Sequence, residues 1–228
     1  MNYIAETSFG ASIGPEALSQ LRAAGTRKRF KPGDLLFMEG EPDGNVLLVE
    51  SGIVNVFVTA EQGKELILGI YGKGELLCEM SALGREPKSA SGRARRGGCV
   101  TEIRGDAFRA FVGRTPAAMT HVLSIVQLRL RRADQARLSY LSDDVSVRVG
   151  RTLLDWGAKY GDKHADGSIK IHNFTRKELA QSVAASEKTV DDVLTSVSNA
   201  GLLKTGRQLF HLVDPGRLSS WILEKSRR

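Results

Sequence analysis

The sequence predicts an α+β protein with a β-rich N-terminal half, a long central helix and a small helical module at the C-terminus. Three observations lead to this prediction. Sixteen of the 24 glycines fall within residues 1–112, where they separate short runs of β-branched and apolar residues. A glycine-free stretch then runs from Thr115 to Leu141, and a helix-capping pattern begins at Thr175.

Composition excludes several classes of protein. Of the 228 residues, 41% are apolar and 26% are charged, so the chain can bury a core and is not a disordered polymer. No run approaches the roughly 18 apolar residues of a membrane helix. The first residues lack the basic and apolar regions of a signal peptide. We therefore expect a cytoplasmic protein without a membrane partner.

Catalytic and metal-binding patterns are missing from the sequence. The two cysteines, Cys78 and Cys99, are too few for a four-thiolate zinc or iron–sulfur site. The four histidines lack metalloprotease spacing, and no nucleophile elbow is present. We expect neither an enzyme nor a metal site. The net charge of +7 favours a polyanionic partner such as nucleic acid, although charge alone is a weak guide.

Residues 1–112 have the pattern of an antiparallel barrel or jelly roll. Val54–Val58 and Leu66–Tyr71 are β-rich runs, and Glu61–Lys64 between them suits a hairpin turn because Gly63 tolerates positive φ. Further turns containing Gly or Pro follow at short intervals. Many short strands separated by such turns are typical of a closed antiparallel sheet.

Residues 113–142 are predicted to form one long helix. Pro116 suits its first turn, with Thr115 as the N-cap. Such a helix is about 40 Å long, which is more than a small barrel can cover. Its apolar residues recur at a 4-3-4-3 spacing typical of a coiled-coil seam, so we expect a homodimer; a long helix packed on its own domain is the alternative. The seam residues are Met119, Leu123, Val126, Leu130, Ala133 and Tyr140.

Residues 143–228 contain the pattern of a winged helix-turn-helix. Thr175 and Glu178 form a capping box, and Ser186 caps a second helix that ends near Asn199. A hairpin is predicted for residues 202–212. Helix, short turn, helix and hairpin in this order are typical of a winged DNA-binding module, with a generic three-helix domain as the alternative.

Four segments carry a resemblance to a known family: Phe30–Gly40, Gly74–Met80, Lys88–Ala90 and Arg176–Ala180. In this order and spacing, the sequence resembles the cyclic AMP receptor protein / fumarate–nitrate regulator family of bacterial transcription regulators. The resemblance implies a cyclic-nucleotide-binding-type β-roll, a dimerisation helix and a C-terminal winged helix-turn-helix that reads a palindromic site in double-stranded DNA. RNA polymerase is a further partner that it implies.

The resemblance also implies which residues hold an effector. In nucleotide-binding members, the residue matching Glu79 accepts the ribose hydroxyl, and Ser89 lies in the phosphate loop. Cys78 stands where these members have glycine. Lys88 replaces an arginine, so a bidentate phosphate contact becomes a contact with a point charge.

Two further positions bear on the identity of the effector. The Thr-Ser pair that contacts adenine in the family falls on Ala133 and Asp134. Two lost hydroxyls and a new carboxylate argue against a close copy of the cyclic AMP site. Three alternatives stay open: cyclic AMP, a different nucleotide such as a dinucleotide attracted by Arg93, Arg95 and Arg96, and either no ligand or an unknown small effector.

The predicted recognition helix departs from the family pattern Arg-Glu-Thr-x-x-Arg. Here Glu187–Asp192 reads Glu-Lys-Thr-Val-Asp-Asp, so both guanine-reading arginines are absent. We expect an unusual or relaxed DNA site. The rival function is an effector-binding or protein-interaction dimer that no longer reads DNA. The predicted DNA-contacting residues are Thr175, Arg176, Lys177, Ser186, Glu187, Lys188, Thr189, Lys204 and Arg207.

Overall fold

The computed structural model describes residues 8–42 and 44–226. The elements up to the long helix are α1 (Phe9–Ser12), α2 (Pro15–Ala23), β1 (Gly25–Phe30), β2 (Leu35–Phe37), β3 (Val46–Thr59), β4 (Glu65–Tyr71), β5 (Leu76–Leu77), α3 (Glu79–Gly84), β6 (Ser91–Ile103) and α4 (Gly105–Arg114). They are followed by α5 (Pro116–Ser142), α6 (Val145–Tyr160), β7 (Asp162–Lys163), β8 (Ile169–His172), α7 (Arg176–Ser182), α8 (Glu187–Asn199), β9 (Leu203–Gly206), β10 (Leu209–Leu212) and α9 (Pro215–Ser226). This element order confirms the predicted α+β class.

The N-terminal strands form an antiparallel sheet in the order β1-β6-β3-β4, with β2 paired to β6 and β5 paired to β3. Strands β3 and β6 pair along most of their length, from Val46 opposite Ile103 to Phe57 opposite Ser91. Gly63, in the turn between β3 and β4, has a φ of +73°. The positive φ is the reason for glycine there, and the predicted hairpin and β-roll are confirmed.

Two apolar clusters form the core of this unit. One joins Leu21 of α2, Ile103 of β6 and Phe108 of α4, all of them fully buried. The other lies within the sheet and includes Val49 and Val54 of β3. Each fully buried side chain of this size contributes about 1.5–3 kcal/mol. The first cluster therefore fixes α4 on the sheet.

Helix α5 spans 27 residues, and its apolar positions lie in two different environments. Ala118 and Val122 are buried in the core of the N-terminal unit. In contrast, Leu123 and Leu130 of the predicted seam are 55% and 59% exposed, and Leu141 beyond it is 88% exposed. Large apolar side chains exposed in a row along one helix indicate a surface that another chain covers.

In the single chain, some residues of the predicted seam are packed against the core and others are exposed. Its members Met119 and Val126 pack against the N-terminal core. Ala133 and Tyr140 are exposed, like the two leucines. Leu138, which the seam spacing does not include, is 65% exposed as well. The apolar surface of α5 thus extends further around the helix than the heptad pattern predicted.

The C-terminal residues form a second compact unit around a sheet in the order β7-β8-β10-β9. Trp156 of α6 packs on Phe174, with ring centroids 4.3 Å apart, and lies 6.4 Å from Phe210 of β10. Helices α7 and α8 contact each other and α6, and β9 and β10 form the hairpin. This arrangement confirms the predicted winged helix-turn-helix.

The boundary between the two compact units lies between Arg132 and Ala133, inside α5. The finer division expected from the sequence, into residues 1–112, 113–142 and 143–228, stays a prediction. Within residues 8–42 and 44–226, no helix is both long enough and apolar enough to cross a lipid bilayer.

We expect Gly98→Ala to destabilise the N-terminal unit and Gly113→Ala to stabilise it. A Cβ on Gly98 would lie 2.1 Å from the carbonyl oxygen of Ser51 in β3, and overpacking of this kind costs about 1–3 kcal/mol. Gly113 on α4 has nothing in the described part of the chain within 4 Å of an added Cβ. Alanine is favoured over glycine in a helix by about 0.5–1 kcal/mol.

Urea titrations of the two variants and the wild type give the free energies of unfolding that check this. Both substitutions add the same methyl group to the same unit, so each is the control for the other. Equal stabilities would contradict the close approach of β3 and β6.

Candidate effector cavity and DNA interface

A partly open cavity lies beside the segment where β5 passes into α3. Four of the six predicted effector residues line it, although they come from two separate segments of the chain. Tyr71 of β4 and Arg129 of α5 complete its polar wall. The predicted members of the wall are Cys78, Glu79, Lys88 and Ser89.

The other two predicted effector residues lie further along α5. Ala133 and Asp134 are exposed, and Asp134 accepts a hydrogen bond from Arg137 at 3.1 Å. Arg93, predicted to attract a dinucleotide, is also engaged: its guanidinium donates to both carboxylate oxygens of Glu65 at 3.0 and 2.8 Å. A ligand that used Arg93 would first have to displace Glu65.

Cys78 is the N-cap of α3 and has a φ of +65°, in the left-handed region. A non-glycine residue pays about 1–2 kcal/mol for this conformation because its Cβ crowds the following carbonyl oxygen. Glycine, which the resemblance places at this position, would adopt it without that cost. The chain therefore keeps the backbone turn that leads into the cavity, although it lacks the residue best suited to the turn.

Glu79 begins α3 and has no exposed surface. Its Oε1 accepts a hydrogen bond from Arg129 Nη1. The Nη2 of the same guanidinium donates to the carbonyl oxygen of Leu76 at 2.9 Å, and the guanidinium lies over the Tyr71 ring, 4.9 Å from its centroid. Arg129 thus ties α5 to the cavity through three partners.

For each group of this pair, burial and the charge of the partner shift the pKa in opposite directions. Burial raises the pKa of the Glu79 carboxyl, and the Arg129 guanidinium limits the rise. Burial alone would lower the pKa of Arg129, but the neighbouring Glu79 and Tyr71 raise it overall. Arg129 therefore stays charged and offsets part of the cost of burying Glu79.

The two carboxylate oxygens of Glu79 differ in their hydrogen bonding. Glu79 Oε2 is buried, and no residue in the described part of the chain forms a hydrogen bond with it. A buried acceptor without a donor costs about 1–3 kcal/mol, which a hydroxyl group from a ligand would recover. This atom lies at the position where the sequence predicts a ribose hydroxyl to bind.

Arg129 was not among the residues predicted from the sequence. It lies at the middle of α5, close to Arg131 and Arg132, and no motif distinguishes it from these two arginines. Only the folded chain brings it to Glu79, a residue 50 positions earlier. The available signal was its position between apolar residues on a helix that packs against the β-roll.

Lys88 is buried, with only 5% of its surface exposed. Its Nζ lies 3.2 Å from Glu41 Oε2. Two backbone hydrogen bonds hold the segments together, one from Lys88 N to Glu41 O at 3.0 Å and one from Gly40 N to Lys88 O at 2.8 Å. The predicted phosphate-binding charge is therefore already paired with a carboxylate.

The helix-turn-helix has the two N-caps that the sequence predicts. Thr175 Oγ1 accepts from Glu178 N at 3.1 Å, and Glu178 Oε2 accepts from Thr175 N at 2.9 Å, which confirms the capping box. Ser186 Oγ accepts from Thr189 N at 3.1 Å at the start of α8. Ala184, in the turn between the helices, has a φ of +51°. These local bonds fix where α8 begins.

The exposed first turn of α8 carries Glu187, Lys188 and Thr189, three of the predicted DNA-contacting residues. One turn later, Asp191 Oδ1 lies 3.2 Å from Arg176 Nη1. Arg176, itself a predicted phosphate contact, also donates to Thr205 Oγ1 of β9 at 3.4 Å. One carboxylate of α8 is thus neutralised by an arginine of α7.

The wing presents the remaining predicted contacts. Lys204 on β9 and Arg207 in the turn between β9 and β10 are exposed. Gln208 completes the turn with a φ of +55°. Lys177, beside Arg176 at the start of α7, is exposed as well. The predicted DNA-contacting residues therefore lie at the start of α7, the start of α8 and the wing, all within the C-terminal unit.

Comparison with known proteins covers both units. A model of the cyclic nucleotide-binding domain matches residues 27–115, and a model of the Crp-like helix-turn-helix domain matches residues 147–221. The chain is 26% identical over 221 residues to the CRP-like cAMP-activated global transcriptional regulator of Mycobacterium tuberculosis, covering 95% of this chain and 96% of the relative. It is 32% identical over 182 residues to the cAMP-activated global transcriptional regulator CRP of Salmonella typhimurium, covering 77% and 83%.

Solved structures agree with this assignment. The c-di-GMP responsive global regulator CLP of Xanthomonas campestris matches with a TM-score of 0.74 and 26% identity, over 86% of this chain and 98% of that one. A CooA mutant from Carboxydothermus hydrogenoformans has a TM-score of 0.80 at 20% identity, over 95% and 96%, and this likeness supports the fold alone. With both domains in the family order, this chain belongs to the cyclic AMP receptor protein / fumarate–nitrate regulator (CRP/FNR) family of bacterial transcription regulators.

Proposed function

We propose that the chain works as a homodimer in which a nucleotide bound in the Glu79 cavity controls the DNA binding of a CRP-type regulator. One observation carries the proposal. Arg129, which pairs with Glu79 in the cavity, belongs to the same helix as the exposed leucines Leu123 and Leu130. A ligand that binds Glu79 therefore acts on the helix that we assign to the dimer interface.

The chemistry of the cavity favours a ligand with both hydroxyl and anionic groups. Glu79 Oε2 is a buried acceptor that matches a ribose hydroxyl. Lys88 and Arg129 supply positive charge, and Ser89 is a further donor on the same wall. The Mycobacterium tuberculosis relative is cAMP-activated and the Xanthomonas campestris relative is c-di-GMP responsive. We therefore propose a cyclic mononucleotide or dinucleotide as the effector.

Effector control follows from the two conformations that a dimer can adopt. A ligand shifts the equilibrium only as far as it binds one conformation more tightly than the other. We propose that the favoured conformation presents the two α8 helices to half-sites of a palindromic site about 34 Å apart. RNA polymerase is the partner that we propose for the DNA-bound dimer.

The DNA contacts divide into two groups. Thr175, Arg176 and Lys177, with Lys204 and Arg207 on the wing, are proposed to contact phosphates, which position the protein without reading sequence. Ser186, Glu187, Lys188 and Thr189 are proposed to face the base edges. Glutamate accepts a hydrogen bond from the cytosine amino group and lysine donates to guanine. The expected site therefore differs from one read by two arginines.

A charge in the seam of α5 is expected to dissociate the proposed dimer. Leu130→Glu places a carboxylate at a seam position, where the two helices would have to bury it. Leu68→Glu on β4 is the matched control, because Leu68 is 56% exposed and Leu130 is 59% exposed. Light scattering after size exclusion should show a monomer for Leu130→Glu and a dimer for Leu68→Glu. A dimer for both variants would contradict the assignment of the seam.

Loss of the Glu79 carboxylate is expected to weaken nucleotide binding. Glu79→Gln removes a charged acceptor that a ribose hydroxyl would use, and hydrogen bonds to charged groups contribute about 1.5–3 kcal/mol. We expect the affinity for cyclic AMP or cyclic di-GMP, whichever binds the wild type by calorimetry, to fall about tenfold or more. Glu86→Gln, at an exposed position just after α3, is the control. No heat with either nucleotide would reject the effector class.

Release of Arg176 from its ion pair is expected to strengthen DNA binding. Asp191→Asn frees a guanidinium that can neutralise one phosphate, and this should steepen the salt dependence of log K by about 0.9. Asp192→Asn removes the same charge from an exposed neighbouring position and is the control. Gel shifts with genomic fragments at several salt concentrations measure both slopes. An equal slope in the two variants would show that Arg176 does not reach a phosphate.

A further inference from the structure

The pairing of Lys88 with Glu41 is a feature that the proposed function does not use. Lys88 lines the cavity, and 4% of its side-chain surface is exposed, whereas the Glu41 side chain is 40% exposed. A buried ammonium group requires a negative partner, because burying it alone costs several kcal/mol. Glu41 supplies that charge from the loop after β2.

The position of Glu41 is set by the backbone rather than by its side chain alone. Its carbonyl oxygen accepts from Lys88 N at 3.0 Å, and Gly40 N donates to the Lys88 carbonyl oxygen at 2.8 Å. Gly40 has a φ of +82°, a conformation that favours glycine. These two backbone bonds keep the Glu41 carboxylate next to Lys88 and lower the entropy lost in forming the ion pair.

We infer that Glu41 is a specificity-determining residue that competes with the anionic group of the effector for Lys88. A phosphate can bind the Lys88 ammonium group fully only when the Glu41 carboxylate moves away, because two anions at one ammonium group repel each other. Glu41 reaches the pair from the more exposed side, so its side chain can swing into solvent while Lys88 stays in the wall. The inference rests on the proposed function, from which it takes a cyclic nucleotide as the ligand.

Because Glu41 competes for Lys88, a ligand binds there only when its own binding energy exceeds the cost of displacing the Glu41 carboxylate. An anion with a single charge gains little by replacing a carboxylate that is already in place. A ligand that also donates a hydroxyl to Glu79 and packs against apolar lining residues such as Phe37 and Val56 has further binding energy to offset the exchange. Glu41 therefore selects against simple phosphate and in favour of a complete nucleotide.

The test compares Glu41→Gln with Glu39→Gln in the full-length chain. Both substitutions remove one negative charge from the same loop, and of these two carboxylates it is Glu41 that pairs with Lys88 in the described part of the chain. The probe is inorganic phosphate, followed through the ammonium resonance of Lys88 in protein labelled with 15N-lysine and identified by its loss in Lys88→Met. We expect Glu41→Gln to respond at about tenfold lower phosphate concentration than the wild type, and Glu39→Gln to behave as the wild type.

Two results would overturn the inference. One is an equal phosphate response of Lys88 in Glu41→Gln and the wild type. The other concerns cyclic AMP affinity, measured by calorimetry. If Glu41→Gln raises this affinity and the rise persists when Lys88→Met is added, the effect does not pass through Lys88. Thermal melts, with Glu41→Ala as a second variant, show whether the fold is retained.

The inference and the proposed function fail in different ways. A phosphate response that differs as expected, with no nucleotide bound by any variant, supports the role of Glu41 and rejects a nucleotide effector. A nucleotide that binds Glu41→Gln and the wild type equally, with equal phosphate responses, supports the effector and rejects the competition.

Discussion

The cavity that we propose for the effector depends on one buried ion pair, between Glu79 and Arg129. A carboxylate without exposed surface is tolerated only when a cation and hydrogen bonds compensate for its lost hydration. Arg129 meets this need from α5, and its second nitrogen donates to Leu76 O at 2.9 Å. The position of α5 beside the cavity therefore follows from an electrostatic requirement of Glu79. A ligand that alters the Glu79–Arg129 pair therefore alters a contact that holds α5 beside the cavity.

Helix α5 combines a fixed segment with an unpartnered one. Its first turns are buried through Ala118 and Val122, which hold the start of the helix in the N-terminal core. Further along, Leu123, Leu130, Leu138 and Leu141 lie exposed on its surface. Such a helix is stable in one chain because its start is packed, and the exposed leucines remain for a partner. Arg129, which pairs with Glu79, lies next to Leu130 in the segment that carries the exposed leucines, so a change at this pair acts on that segment.

Local chemistry explains which features could be predicted from the sequence. The capping box at Thr175, the turn at Gly63 and the cap at Ser186 depend on neighbours within a few residues, and all three lie where the pattern predicts. Arg129 and Glu41 could not be predicted, because each partner lies about 50 positions away along the chain. The resemblance directed attention to Glu79 and Lys88 but did not indicate which charges pair with them.

A contact between residues distant in sequence also changes the charge of the predicted DNA-binding surface. By sequence alone, α8 carries three carboxylates against one lysine near its start, which argues against DNA. In the folded chain, Asp191 is paired with Arg176, so part of that negative charge is neutralised within the domain. The neutralisation also occupies a cation that would otherwise meet phosphate. In the DNA complex that we propose, Lys177 and the wing residues Lys204 and Arg207 are therefore the main source of affinity, and α8 contributes selectivity through Glu187 and Lys188.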